Sequence, residues 1–251
     1  MSGASAGAGG GPAWVARLRT ALHEADRPWA DVLRPAQGAR ASAVLALFGE
    51  GVDGAERAGG ADGTGATGGG PEVLLVERAL TLRSHPGQIA FPGGGVDPED
   101  TDLADTALRE AYEECGVLRA GVEVLGTLPP AHVRVSGFDV TTVVGWWRVP
   151  HAVAPADPAE VAAVLRVRVA DLVDPANRAT ARHPLGFRGP AFSVAGHLVW
   201  GLTAHLLDAV LDLAGWSRPW DASREVEIPE RYLSDRRART LARDDGGPDA
   251  H

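Results

Sequence analysis

Phe91 to Val117 reads FPGGGVDPEDTDLADTALREAYEECGV, a glycine-rich turn that runs into one amphipathic helix. Ala104, Ala107, Leu108, Ala111 and Cys115 recur at helical spacing and predict its buried stripe. Asp100 or Thr101 is the expected N-cap. Asp102 then falls in the first turn, where the helix dipole favours negative charge, and Gly116 supplies the stop. Glu110, Glu113 and Glu114 stand at i, i+3 and i+4, so their carboxylates are expected on one side of the helix. Like charges at that spacing repel by about 0.2–0.5 kcal/mol per pair in solvent, and by more where water is excluded. A divalent cation relieves the repulsion, and hard oxygen ligands suit Mg2+ or Mn2+. Arg109 adjoins the three and is expected to hold a carboxylate by a bidentate pair. The competing reading of the same residues is a solvated acidic face.

Bulk properties bound the rest. The chain has 251 residues, 45% of them hydrophobic, enough for one large domain or a domain with tails. A formal net charge of -9 gives no overall field to attract nucleic acid or an anionic membrane, so neither is expected as a partner. An anionic small-molecule substrate would need local arginines and a metal. With Cys115 as the single cysteine there is no intrachain disulfide, which fits a reducing cytoplasm; it lies on the buried stripe and reads as core. The N-terminal MSGASAGAGGGPAW has neither a basic region nor an apolar run, so no secretory signal is expected, and no run of about 20 apolar residues predicts a membrane span.

Taken in order, residues 1–12 are expected to be disordered, and 13–39 to hold a helix (Trp14, Leu18 and Leu22 at i, i+4, i+8) and a proline-marked connector. Residues 40–215 form the expected domain, interrupted at 50–70 by a Gly-rich flexible insertion. That insertion lacks the Gly-Lys-Ser/Thr of a phosphate loop. Strands are expected at Ser42–Phe48, Glu72–Glu77, Val122–Leu128 and Val140–Val149, the first two as a hairpin. Trp146 and Trp147 must then face opposite ways, both as packing residues. Between the second strand and the acidic helix, Thr81 to Gly95 reads as a loop, to which Arg78, Arg83, His85 and Gln88 bring cationic and donor groups. Glu160 precedes an apolar run; a cap or surface role is favoured over ordering a reactive water. A short helix or turn at Ala170–Val173, strand-like residues at 185–199 and an apolar helix over Trp200–Gly215 follow, with His205 packed on that helix. Residues 216–251 form a charged tail, read as a solvated helix over 229–243.

Arg109 to Val117, REAYEECGV, preceded by PGGG, resembles the Nudix box of hydrolases acting on nucleoside diphosphates linked to another group. Arg109, Glu110, Glu113, Glu114 and Gly116 match it. Counted from Gly95, the first acidic position of the box falls on Thr101. Counted from Gly94 it falls on Asp100, and the stretch to Arg109 is then one residue longer than usual. Upstream, LLVERALTLRSHPGQIAFPGG (Leu74 to Gly94) resembles the signature of the coenzyme A diphosphatase branch, with Leu74, Leu75, Arg78, Ala79, Arg83, Gly87 and FPGG matching and Val76 standing where Thr is usual.

The resemblance implies an α+β fold, a Nudix-like α/β/α sandwich with a mixed β-sheet. It implies Mg2+ or Mn2+ on Glu110, Glu113 and Glu114. Arg109 is the orienting group, Glu113 or Glu114 the base with Glu160 as the outsider, and Arg78, Arg83, Gly93 and Gly94 bind the substrate. The implied reaction splits coenzyme A or its thioesters to 3′,5′-ADP and 4′-phosphopantetheine or its acyl form. The alternatives are a diphosphatase for ADP-ribose, nucleotide sugars or dinucleotides, and a non-catalytic nucleotide-sensing domain. A homodimer is left open by the sequence.

Overall fold

The computed structural model describes residues 11–24, 39–51, 69–133, 137–184 and 186–233. The expectations for residues 1–10, for the proline-marked connector, for most of the Gly-rich insertion and for the tail beyond Leu233 lie outside them.

Among the described residues the first element is helix α1 (Ala13–Glu24), whose Val15, Leu18 and Leu22 are buried. Two strands follow, β1 (Arg40–Glu50) and β2 (Pro71–Arg78), then the short β3 (Ile89–Ala90) and β4 (Gly93–Gly95). Helix α2 (Leu103–Cys115) leads to β5 (Val122–Thr127), β6 (Ala131–Val133) and β7 (Phe138–Trp147). Then come β8 (Val161–Arg168), the one-turn helix α3 (Val169–Leu172), β9 (Arg178–Arg182), β10 (Arg188–Val194) and β11 (His197–Val199). Helix α4 (Gly201–Leu213) and β12 (Glu225–Glu227) close the described chain. None of the described helices is long and apolar enough to cross a membrane.

Among the described residues the strands form two sheets. The larger has eight strands in the order β3-β2-β1-β7-β5, with β4 beside β1, β6 beside β7 and β8 beside β2. It is mixed: β1 and β7 run parallel, and the other pairs are antiparallel. The β1–β2 hairpin is real but short, since only Phe48–Glu50 pairs with Pro71–Val73. The other end of that edge, Ser42–Val44, is taken by the glycines of β4. This pairing seats the glycine turn on the sheet directly beneath α2.

Both faces of the large sheet are covered, which explains why its central strands read as continuous apolar runs. Ala43, Leu45 and Leu47 of β1, Leu74 and Val76 of β2, and Val143 and Trp147 of β7 pack against Ala107, Leu108, Ala111 and Cys115 of α2. The alternating residues Ala46, Phe48, Val73, Leu75 and Val144 pack the other way, onto α1, α4 and β10. Trp147 is buried among the first set, and Trp146 packs half-buried against the second, so the two tryptophans are divided between the layers. Helix, mixed sheet and helices make the expected α/β/α sandwich.

Three expectations change. The N-cap of α2 is Asp102, whose carboxylate accepts from the Asp105 amide; Asp100 and Thr101 lie before it. Asp100 is committed instead to Arg109. The loop Thr81–Gly95 contains β3 and β4. The start of the tail is not a solvated helix: β12 joins a second sheet of four strands, ordered β11-β10-β9-β12, and the turn Glu230–Tyr232 follows it. Ile228 and Tyr232 decide this, because both are buried against Ala181, Ala191 and Leu198.

Candidate active site

Gly93 and Gly94 place the floor. A Cβ at Gly93 would stand 2.3 Å from the Ala43 carbonyl oxygen and 2.6 Å from Val44 Cα, so only glycine lets this strand lie on β1. A Cβ at Gly94 would stand 2.5 Å from Glu110 Oε1. The space that the missing side chain leaves is the space the Glu110 carboxylate occupies. The Gly93 amide donates to Glu114 Oε2 at 3.1 Å. Glu110 and Glu114, one helical turn apart, therefore both lean inward over the glycine turn.

Burial perturbs both. It pushes Glu110 above the usual carboxylate range, against the pull of Arg109 and with the help of the Glu113 and Asp100 charges. It lifts Glu114 to about 7; the Gly93 amide and the Arg78 charge oppose the shift, and Glu110 and Glu160 add to it. Arg78 is thus electrostatically coupled to Glu114 across the turn, and its Nε is buried with no hydrogen-bond partner.

Arg109 is spent on the chain itself. Its Nε and Nη2 donate to the two oxygens of Asp100 at 2.9 and 3.0 Å, and Nη2 also donates to the Gly95 carbonyl at 3.0 Å. Its Nη1 donates to Glu110 at 3.0 Å and to Glu113 at 2.9 Å. The Asp100 side chain is only 3% exposed and also accepts from Thr106 Oγ1 and the Asp97 amide. Those bonds, the Arg109 bonds first, hold its carboxyl well below the usual range. The acidic residue counted from Gly94 is thus the one that anchors the arginine, and the extra residue before Arg109 is absorbed in the turn ahead of the helix.

The three glutamates do not converge equally. Glu113, with 54% of its side chain exposed, is drawn to Arg109 on the outer flank. Among the described residues no group of three His, Cys, Asp or Glu side chains stands ready to hold a metal ion. Arg83 is exposed in the loop beyond β2. Glu160 is exposed too, yet its charge reaches Glu114. His205 bonds the Gly201 carbonyl at 2.9 Å, a packed helical histidine as expected. Cys115 is fully buried with its thiol pushed up to about 12, which makes it core and not a nucleophile. What the sequence left undecided was the role of Asp100, and the signal lay in counting from Gly94 instead of Gly95.

A Nudix box helix on a mixed sheet, with its arginine and inward carboxylates, defines the class, and comparison with known proteins agrees. The NUDIX domain family matches residues 62–185. A relative from Enterobacter sp. (strain 638), described as "Uncharacterized Nudix hydrolase NudL", is 42% identical over 144 residues, covering 55% of this chain and 72% of its own. A protein of the same description from Cronobacter sakazakii is 43% identical over the same length and coverage. A solved NUDIX hydrolase from Alicyclobacillus acidocaldarius is 21% identical with a TM-score of 0.44, covering 69% of this chain and 91% of that one. The chain belongs to the Nudix hydrolase family, enzymes that act on phosphoric anhydrides.

Nudix hydrolases generally need divalent metal ions. The residues fit one. Two half-buried carboxylates on one helical turn, both lifted by desolvation and by neighbouring carboxylate charge, are a donor set that a hard cation would stabilise. Glu113 is the third oxygen donor on the same helix, held at present by Arg109.

Proposed function

We propose that this protein hydrolyses the diphosphate of coenzyme A or its thioesters to 3′,5′-ADP and 4′-phosphopantetheine or its acyl form, with Mg2+ or Mn2+ on Glu110, Glu113 and Glu114. The observation that carries the reading is the folding of the segment Leu74 to Gly94. Its two ends meet at one carboxylate: the Arg78 charge faces Glu114, and the Gly93 amide bonds it. This supports reading the segment that resembles the coenzyme A signature as part of the site. Its one departure, Val76, is 1% exposed and packs under α2, so it is a packing difference.

In this reading Arg78 and Arg83 clamp the non-bridging oxygens of the diphosphate. The half-buried Gly93 and Gly94 bring backbone close to the diphosphate. A bound divalent ion would neutralise the diphosphate and lower the pKa of a water. Glu114, leaning inward, would be the base in this reading, since Glu113 is turned toward Arg109. Arg109 touches no substrate; it fixes Glu110 and Glu113 from the Asp100 side.

Mass spectrometry of products from coenzyme A, with either metal, is the test. Appearance of 3′,5′-ADP and 4′-phosphopantetheine is expected. Preference for ADP-ribose, a nucleotide sugar or a dinucleotide in the same panel would overturn the substrate. Tight binding of one of them with no turnover by the wild type would overturn catalysis in favour of a sensor.

A further inference from the structure

The arginine loop between β2 and β3 is tied down at both limbs. On one limb the Ala79 amide donates to the Glu160 carbonyl at 2.9 Å, and Thr81 Oγ1 reaches the Ala159 carbonyl at 3.4 Å. The other limb is held from far along the chain: Gln88 Nε2 donates to the Tyr232 carbonyl at 3.2 Å. Gly87, at φ +67, lies under the Tyr232 ring, since a Cβ there would be 3.7 Å from Tyr232 Cε1. The base of the loop is closed by the Arg78 amide on the Gln88 carbonyl and the Gly87 amide on the Arg78 carbonyl, both at 3.0 Å. Gln88 thus joins Tyr232 to the residue that carries the guanidinium facing Glu114. Arg83 and His85 lie between the two anchored limbs, and His85 adopts φ 55, a conformation a histidine rarely holds unaided.

The second sheet makes sense in these terms. Its strand β12 exposes Glu225 and Glu227 and buries little of its own. Its pairing with β9 leads through Ile228, 5% exposed and packed in that sheet's core, to Tyr232, 2% exposed and set against the flank of the loop. His197 of β11 adds a contact from the same sheet, its Nδ1 4.0 Å from Glu77 Oε1 on β2.

We propose that the segment Glu225–Leu233 is a buttress for the substrate loop, and that Gln88 is a positioning residue acting through Tyr232. The proposal rests on the reading that this loop binds the substrate diphosphate. In the full chain, Gln88→Ala is expected to raise KM about three- to tenfold, the worth of one hydrogen bond, with kcat and melting temperature little changed. Tyr232→Ala, which removes the ring against Gly87, is expected to raise KM similarly. Tyr232→Ala keeps the main-chain carbonyl that Gln88 bonds, so the two variants remove separate contacts, and their effects on KM are expected to multiply in the double variant. Kinetics use whichever nucleoside diphosphate derivative the wild type turns over. An unchanged KM in Gln88→Ala would overturn the buttress. Hydrogen exchange at the Arg78 and Gly87 amides gives a readout independent of substrate and of whether Tyr232→Ala folds. Faster exchange in Gln88→Ala is expected, and unchanged exchange overturns the proposal. If Arg83→Ala leaves KM unaltered while exchange quickens, the loop's role in substrate binding fails and the positioning stands.

Discussion

Gly93 and Gly94 are neighbours with opposite vulnerabilities. At Gly93 the missing Cβ is replaced by backbone of β1, which cannot yield. Gly93→Ala is expected to destabilise the fold by about 3 kcal/mol, the upper end for overpacking, as read by urea unfolding. At Gly94 the obstacle is the end of the Glu110 side chain, which can rotate aside. Gly94→Ala is expected to keep nearly wild-type stability and lose activity; the reverse pattern would show that the turn has been misassigned. Glu114 has its own signature. The folded protein keeps its proton up to about pH 7, whereas an unperturbed glutamate releases it near 4.5. Between those values the native state binds more protons than the unfolded chain, so metal-free stability falls as pH rises through this window. Glu114→Gln abolishes that fall. In chelator at pH 8 the variant is expected to exceed wild type by on the order of 1–2 kcal/mol, with the gain gone at pH 4. A variant less stable at pH 8 would refute the assignment.

At the scale of elements, α2 shows what a sequence discloses. Its apolar stripe, glycine stop and glutamate spacing were legible because helical periodicity and the αL preference of glycine are local. Gly116 does end the helix, at φ 77. What was not legible is where Arg109 would spend its donors. Three carboxylates were offered within one turn, and a fourth, Asp100, lay before the helix; only the turn of 95–102 brings it within reach. Asp100→Asn is expected to leave α2 folded but to lower kcat about 10- to 100-fold, as for loss of a partner that orients a ligand. Circular dichroism with steady-state kinetics checks both halves. Strand β9 (RATAR) and strand β12 (EVE) escaped because their alternation is short and carried only by Ala179, Ala181 and Val226. β9 is a strand through its hairpin with β10, and β12 through a partner tens of residues away, β9, and through the burial of Ile228 and Tyr232 just beyond it.

Across the whole molecule, the two sheets share the layer of α4 and β10. Arg178 is the joint. It is 1% exposed, pairs with Asp208 of α4 at 2.5 Å, and lies 4.2 Å from the Phe192 ring and 4.5 Å from that of Trp220. A buried cation held this way adds little over an apolar isostere, but removing it opens a cavity beneath the Phe192 and Trp220 rings. Arg178→Ala is expected to cost about 3 kcal/mol and Arg178→Met much less, by thermal or urea unfolding. Equal losses would show that the ion pair, not the filled volume, holds the joint.

Cys115, with none of its surface exposed, sits one residue after Glu114 on the sheet-facing side of α2. The chain thereby carries a built-in tamper seal. A thiol reagent added to the intact protein has nothing to react with, and labelling starts only when the helix lifts from the sheet. Mass increase with time then counts opening events in unmodified wild-type protein, without a dye or an engineered probe. Any ion or nucleotide that clasps the neighbouring carboxylates is expected to slow that clock, so occupancy of the site becomes measurable even where no turnover is.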